Sequence, residues 1–214
     1  MKVHLFKNQN PLYYNLNKWN KSECPLLLIT GLSGSGKTSY AKKIAKKNNA
    51  IFMSFDVLKF YTEAPKESQT ILKLFLKKYP KIKKLVTIQW TKTDATFSND
   101  ILYNYFCNTF FDFLMAYGIK QNKTIVLEGI QLFMRLHPSK SVGLPLIIMR
   151  SSSLQSCVNK AKRDHILRKK RAKGIKYICL FAKDLYIYQI KQLFVLNKYI
   201  YYQETLFKNC HIIQ

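Results

Sequence analysis

Residues 31–38 read Gly-Leu-Ser-Gly-Ser-Gly-Lys-Thr and satisfy the pattern GxxxxGK[ST] at every specified position. Gly31, Gly34 and Gly36 permit backbone angles that a side chain would forbid. Successive N–H groups can then turn inward as an anion nest at the start of a helix. In such a loop Lys37 reaches the β- and γ-phosphates of ATP and Thr38 sets its hydroxyl on Mg²⁺. The expected nucleotide contacts are therefore Gly31, Ser33, Gly34, Ser35, Gly36, Lys37 and Thr38. The competing explanation is a chance glycine turn, and the strand–loop–helix setting argues against it. A second group with chemical potential is Glu128, which ends an apolar run and is followed by Gly129. At the carboxyl edge of an open sheet, where ligands gather, its carboxylate would orient the Mg²⁺ shell or the acceptor. The alternative is a structural carboxylate bonded to loop amides.

Positioning such groups requires strands that end at one edge, and the hydrophobic pattern supplies them. Short apolar runs at 26–29, 51–55, 124–127 and 144–149 read as buried strands. Between them, residues 39–48 place Tyr40, Ile44 and Ala45 on one helical face with lysines around it. Residues 65–84 alternate apolar positions with lysines at helical spacing, and 100–117 form an aromatic helix closed by Gly118. Residues 85–90 fit either a strand or a continued helix. Residues 153–173 form a long basic helical segment ending at Gly174, and the last 40 residues read as aromatic helices with a final strand at 210–213. Strands alternating with helices imply an α/β fold with a mainly parallel sheet and helices on both faces. With the phosphate loop, the expectation is a three-layer P-loop NTPase fold. Residues 1–24 are an N-terminal extension, a short helix or a segment lying over the domain, and residues 25–214 form one domain with a basic lid at about 153–174.

The loop alone does not choose among GTPase, motor ATPase and kinase. No Asn-Lys pair is followed two residues later by Asp, as guanine recognition needs, and no LSGGQ-type transporter signature is present. The segment Ile-Val-Leu-Glu-Gly-Ile-Gln-Leu at 125–132 resembles the third-strand region of uridine kinases and related P-loop kinases. Arg163-Asp164, with Arg168 and Arg171 beyond it, is similar to the lid of that family, and the resemblance covers about residues 25–174. It implies a nucleoside- or nucleotide-type acceptor and gives Asp56, 19 positions after Lys37, the place of the acid beside the acceptor hydroxyl. The other reading of Asp56 is a helix N-cap for Val57 onward. The resemblance also implies that Arg163, Arg168 and Arg171 bring bidentate charge to the γ-phosphate, against the plainer reading of a solvated basic helix. Two departures are visible: Arg150 followed by three serines where the family has an acid, and Lys169-Lys170-Arg171 in the lid. Nucleoside specificity is therefore not carried over. P-loop kinases that phosphorylate the bases of phage genomes are a branch compatible with this chain's character.

Composition extends the list of partners. The chain carries 36 Lys and Arg against 11 Asp and Glu, a formal +25, and only five of the bases are Arg. AT-rich drift explains the lysines but not the shortage of acids, so polyanions are expected partners, DNA or RNA among them. Lys169, Lys170 and Lys173 would belong to that general surface. The five cysteines are scattered with no CxxC pair, which fits reduced thiols in a cytoplasm, a host's if the chain is viral. No signal-peptide or membrane-spanning run is evident, and a soluble protein is expected. Tyr103, Phe106, Phe110, Phe111 and Phe113 recur at helical spacing, as a core stripe does, with base stacking as the other reading. Asp94 and Asp100 flank the loop before that helix, and the four His carry no evident role. The expected function is an ATP- and Mg²⁺-dependent kinase acting on a hydroxyl, with catalytic Lys37, Asp56, Glu128 and Arg163 and metal ligands Thr38 and Glu128. The rival classes are a nucleic-acid-binding ATPase that phosphorylates nothing and a toxin-type kinase acting on a sugar nucleotide.

Overall fold

A computed structural model describes residues 11–19, 24–57, 64–84, 100–151 and 190–211. Within them the fold is α/β, built on one five-stranded, mostly parallel sheet. The strands are β1 (Leu12–Tyr14), β2 (Leu26–Gly31), β3 (Ile51–Ser54), β4 (Ile125–Glu128) and β5 (Leu146–Met149), and they lie in the order β1-β5-β2-β4-β3. β2 runs parallel to both β4 and β5, and β4 parallel to β3; only β1 is antiparallel, on the β5 edge. Part of the N-terminal extension is thus a sheet strand, a role its polar and aromatic sequence did not announce.

β2 is buried along its whole length because both faces of the sheet are covered. Leu26 and Leu28 point into one cluster, and Leu27 and Ile29 into another, as the two-residue period of a strand requires. The smaller cluster is closed by α1 (Lys37–Lys47) through Ala41 and Ala45, with Trp19, Tyr40 and Phe52 at its margin. The larger is closed by α2 (Lys66–Lys78), α3 (Asp100–Gln121), α4 (Gln131–Met134) and α5 (Ile190–His211). There the expected aromatic stripe is core: Phe106, Phe110 and Phe113 each meet the fully buried Phe75 edge-on, and Phe55 meets Phe110 likewise. These rings are packed against one another, so base stacking is not their work.

Several boundaries differ from the sequence expectation. The helix expected over 65–84 breaks at Tyr79, because Pro80 has no N–H to continue the ladder; residues 80–84 are helical again. Gly118 does not close α3. It lies inside the helix, where a Cβ would come 2.6 Å from the Pro25 ring, so its smallness admits β2's entry beside the helix. The left-handed residue that ends α3 is Asn122, with Lys123 N–H donating to the Gly118 carbonyl at 2.9 Å. The C-terminal strand expected at 210–213 is absent where described: Cys210 and His211 continue α5. Residues 85–90 and 153–174 lie outside the described residues. No described helix is long and apolar enough to cross a membrane.

Candidate functional site

The glycine loop joins β2 to α1. At Gly31 (φ 147°) a Cβ would lie 2.4 Å from the Met149 carbonyl of the neighbouring strand, so only glycine lets the loop leave the sheet there. The loop then folds back, Ser35 N–H donating to the Leu32 carbonyl at 3.0 Å while the Leu32 side chain is buried in the core. Gly36 (φ 82°) precedes α1, whose first turn has neither a side-chain cap nor an acidic residue. The positive end of its dipole therefore favours an anion there. Lys37, the first residue of α1, is 92% buried, and the Ser35 hydroxyl is buried without a hydrogen-bond partner among the described residues. From the other side, Gln192 of α5 accepts the Ser33 N–H at 3.1 Å.

Glu128 closes β4, in register with Ile29 of β2 and Ser54 of β3. Only 2% of it is exposed. Its Oε1 accepts the Ser54 hydroxyl at 2.6 Å and the Thr38 hydroxyl at 3.3 Å. Oε2 is buried with no hydrogen-bond partner among the described residues, an orphan of the kind a cation would complete. Burial pushes the Glu128 carboxyl well above the usual carboxylate range, against the pull of the Lys37 charge and the two hydroxyl donors; the nearby Asp56 pushes it further up.

Asp56 sits in the 3-10 turn Phe55–Val57 that follows β3. Its N–H donates to the Ser54 Oγ at 3.1 Å, and its Oδ1 accepts from the Gln131 Nε2 at 3.0 Å. The carboxylate is thus held by a side-chain amide; the residues of a helix that it would cap, 58 onward, lie outside the described residues. Gln131 begins α4, is 3% exposed, and donates from the same nitrogen to the Tyr103 hydroxyl at 2.7 Å. Burial, with Cys107 and Asp56 nearby, raises the Tyr103 hydroxyl far above its ordinary value, so it stays protonated. Arg135, at the end of α4, stands over the Tyr103 ring at 5.4 Å.

A continuous line of hydrogen bonds therefore runs from Thr38 through Glu128, Ser54, Asp56 and Gln131 to Tyr103. Five expected groups — the loop, Lys37, Thr38, Asp56 and Glu128 — are brought to the carboxyl edge of the sheet. Arg163, Arg168, Arg171 and Asp94 lie outside the described residues, and Asp100 opens α3. Ser54, Gln131 and Gln192 were not foreseen. Gln131 lies inside the quoted segment 125–132 and Ser54 directly precedes the strand-end turn; Gln192, far along the chain, has no local signal. Among the described residues no three His, Cys, Asp or Glu side chains cluster to hold a metal. The oxygens of Thr38 and Glu128 suit a hard cation that keeps water and takes its remaining ligands from phosphate. Protein-family models match no part of the chain, and a search of curated proteins found no match either.

Proposed function

We propose that the chain is an ATP- and Mg²⁺-dependent kinase on a P-loop NTPase fold, moving the γ-phosphoryl group to a hydroxyl of a nucleoside, nucleotide or nucleic-acid acceptor. One observation carries it: a GxxxxGKT loop at the β2–α1 junction whose Thr38 shares Glu128 with the strand that leads to Asp56. The strand order supports the P-loop assignment. From β2 the chain passes to β3, two places away with β4 between, and later to β5 on the opposite side. The reversal falls at β2, and the crevice beyond its carboxyl end is where an open α/β sheet takes its ligand.

The roles follow from the groups present. Loop N–H groups and Lys37 would hold the phosphates, and Thr38 and Glu128 would hold Mg²⁺. When bound, the ion supplies charge neutralisation on the phosphate oxygens. Asp56 takes the proton of the attacking hydroxyl. Arg163, Arg168 and Arg171 enter only through the resemblance to uridine-kinase-type lids. The exposed Lys42, Lys43, Lys46 and Lys47 around the outer face of α1 favour an acceptor carried on a polyanion.

The test is γ-labelled ATP with nucleosides, nucleoside monophosphates, and single- and double-stranded DNA and RNA bearing free 5′-hydroxyls. Label on one acceptor class is the expected result. Label released only as free phosphate would mean an ATPase, and no ATP turnover with any acceptor would remove the kinase reading.

A further inference from the structure

We infer that Gln131 is the positioning residue for the general base: it holds one oxygen of Asp56 and so turns the other toward the acceptor hydroxyl. This rests on the kinase reading above and goes beyond it by naming a residue that neither the loop nor the resemblance singled out.

Three elements meet at the Gln131 amide. Its Nε2 donates to Asp56 Oδ1 at 3.0 Å, from the turn after β3, and to the Tyr103 hydroxyl at 2.7 Å, on α3. The amide oxygen is wedged against Gly129, where a Cβ would come 2.5 Å from it. An ionised carboxylate accepts only, so Asp56 sets which way round the amide lies. With its nitrogen bonded on two sides and its oxygen packed on a third, the side chain has little rotational freedom left, and Asp56 inherits that restriction. The Asp56 N–H is fixed as well, on Ser54. The Asp56 Oδ2 accepts no hydrogen bond among the described residues, while the residue stays only partly buried.

The choice of an amide matters chemically. A lysine or arginine on Oδ1 would hold Asp56 equally well but would lower its proton affinity. A neutral N–H orients the carboxylate and costs it less basicity. Arg135 stands over the face of the Tyr103 ring at 5.4 Å. In the transfer itself, the acceptor oxygen bonds to the γ-phosphorus and the bond from that phosphorus to the β–γ bridging oxygen breaks. ADP leaves with that electron pair, and the hydroxyl proton passes to Asp56.

The experiment compares Gln131→Met, Tyr103→Phe, Asp56→Asn and the double variant Asp56→Asn/Gln131→Met. The probes are γ-labelled ATP with the acceptor panel above, and melting temperature is recorded for each variant. Gln131→Met, of similar volume but no donor, is expected to lower transfer kcat about 10- to 100-fold, a part of what a general base as a whole supplies. KM for ATP should be unchanged. Tyr103→Phe should fall in the same direction by less, and it carries the test if Gln131→Met does not fold. In the double variant the loss should equal that of Asp56→Asn alone, because a positioning residue has nothing left to position. Wild-type transfer in a folded Gln131→Met chain, or losses that simply multiply in the double variant, would overturn the inference. A collapse of ATP affinity would also overturn it, placing Gln131 in the nucleotide site. A wild-type chain that binds ATP and labels no acceptor defeats the kinase reading itself, and the inference with it.

Discussion

The two halves of the site are built by different means. On the side of the glycine loop, a contiguous stretch of backbone makes the site: glycines at special angles, a buried strand before, a helix without a side-chain cap after, and Lys37 and Thr38 as its first two residues. On the side of Asp56, nothing is contiguous. Ser54 and Asp56 come from the end of β3, Glu128 and Gln131 from around the end of β4, and Tyr103 from α3, and hydrogen bonds that each involve at least one side chain join them. A site made of backbone tolerates changes in the side chains around it, provided the glycines and the two terminal side chains remain. A site made of side chains propagates each substitution along the line.

The difference is sharpest at Lys37. Lys37→Ala should abolish ATP turnover, because on the proposed function its charge holds the phosphates; hydrolysis assays on a variant of unchanged circular dichroism check this. Undiminished turnover in a folded variant would break the assignment of the phosphate side. Next in size, Asp56→Asn should keep ATP affinity and lose transfer by about 10²–10⁴, the usual contribution of a general base. Parallel measurement of ATP binding and label transfer separates the halves, and a joint loss would show that they are not independent.

Charge gives a smaller effect. If the acceptor is a polymer, affinity for DNA should fall steeply with salt, by a slope of roughly 0.9 per duplex phosphate contacted. Reversing Lys43, Lys46 and Lys47 on the outer face of α1 to Glu should flatten that slope and weaken binding about equally on all sequences, since phosphate contacts carry no base information. A free nucleoside phosphorylated efficiently, with no effect of salt or of the triple variant, would assign the +25 charge to composition.

The smallest effect concerns stability. Because burial raises the Glu128 carboxyl, the folded chain binds its proton more tightly than the unfolded chain does. Stability should therefore decline as pH rises from the ordinary carboxylate range toward the raised folded value, and the loss should be complete above it. Glu128→Gln removes that burden and can still accept from Ser54. Without Mg²⁺ and ATP it should melt about 2–4 °C higher at neutral pH, what ~1 kcal/mol does in a chain of this length. With both present, the wild type should gain more than the variant. Thermal melts with and without the ligands decide it, and equal gains would remove Glu128 from the metal site.

What the sequence determined by itself is what lies close together along it. The glycine turn between β2 and α1, the four parallel strands and α1 follow from residue type and short-range period, because backbone angles and alternation are local properties; the four observed strands fall within two residues of expectation. Glu128 was legible too, as an acid closing a buried run. Where two local signals competed, the sequence misled: Gly118 looked like a helix stop but serves the approach of Pro25, while Asn122 makes the turn. Cys210 and His211 looked like strand and continue α5. The tertiary structure alone decided that Leu12–Tyr14 joins the sheet edge, that Gln192 reaches Ser33 across 159 positions, and that Gln131 stands between Asp56 and Tyr103. Each of these depends on which elements pack side by side. A hydrogen bond of 3 Å between residues far apart in the chain leaves no trace in the spacing of either one.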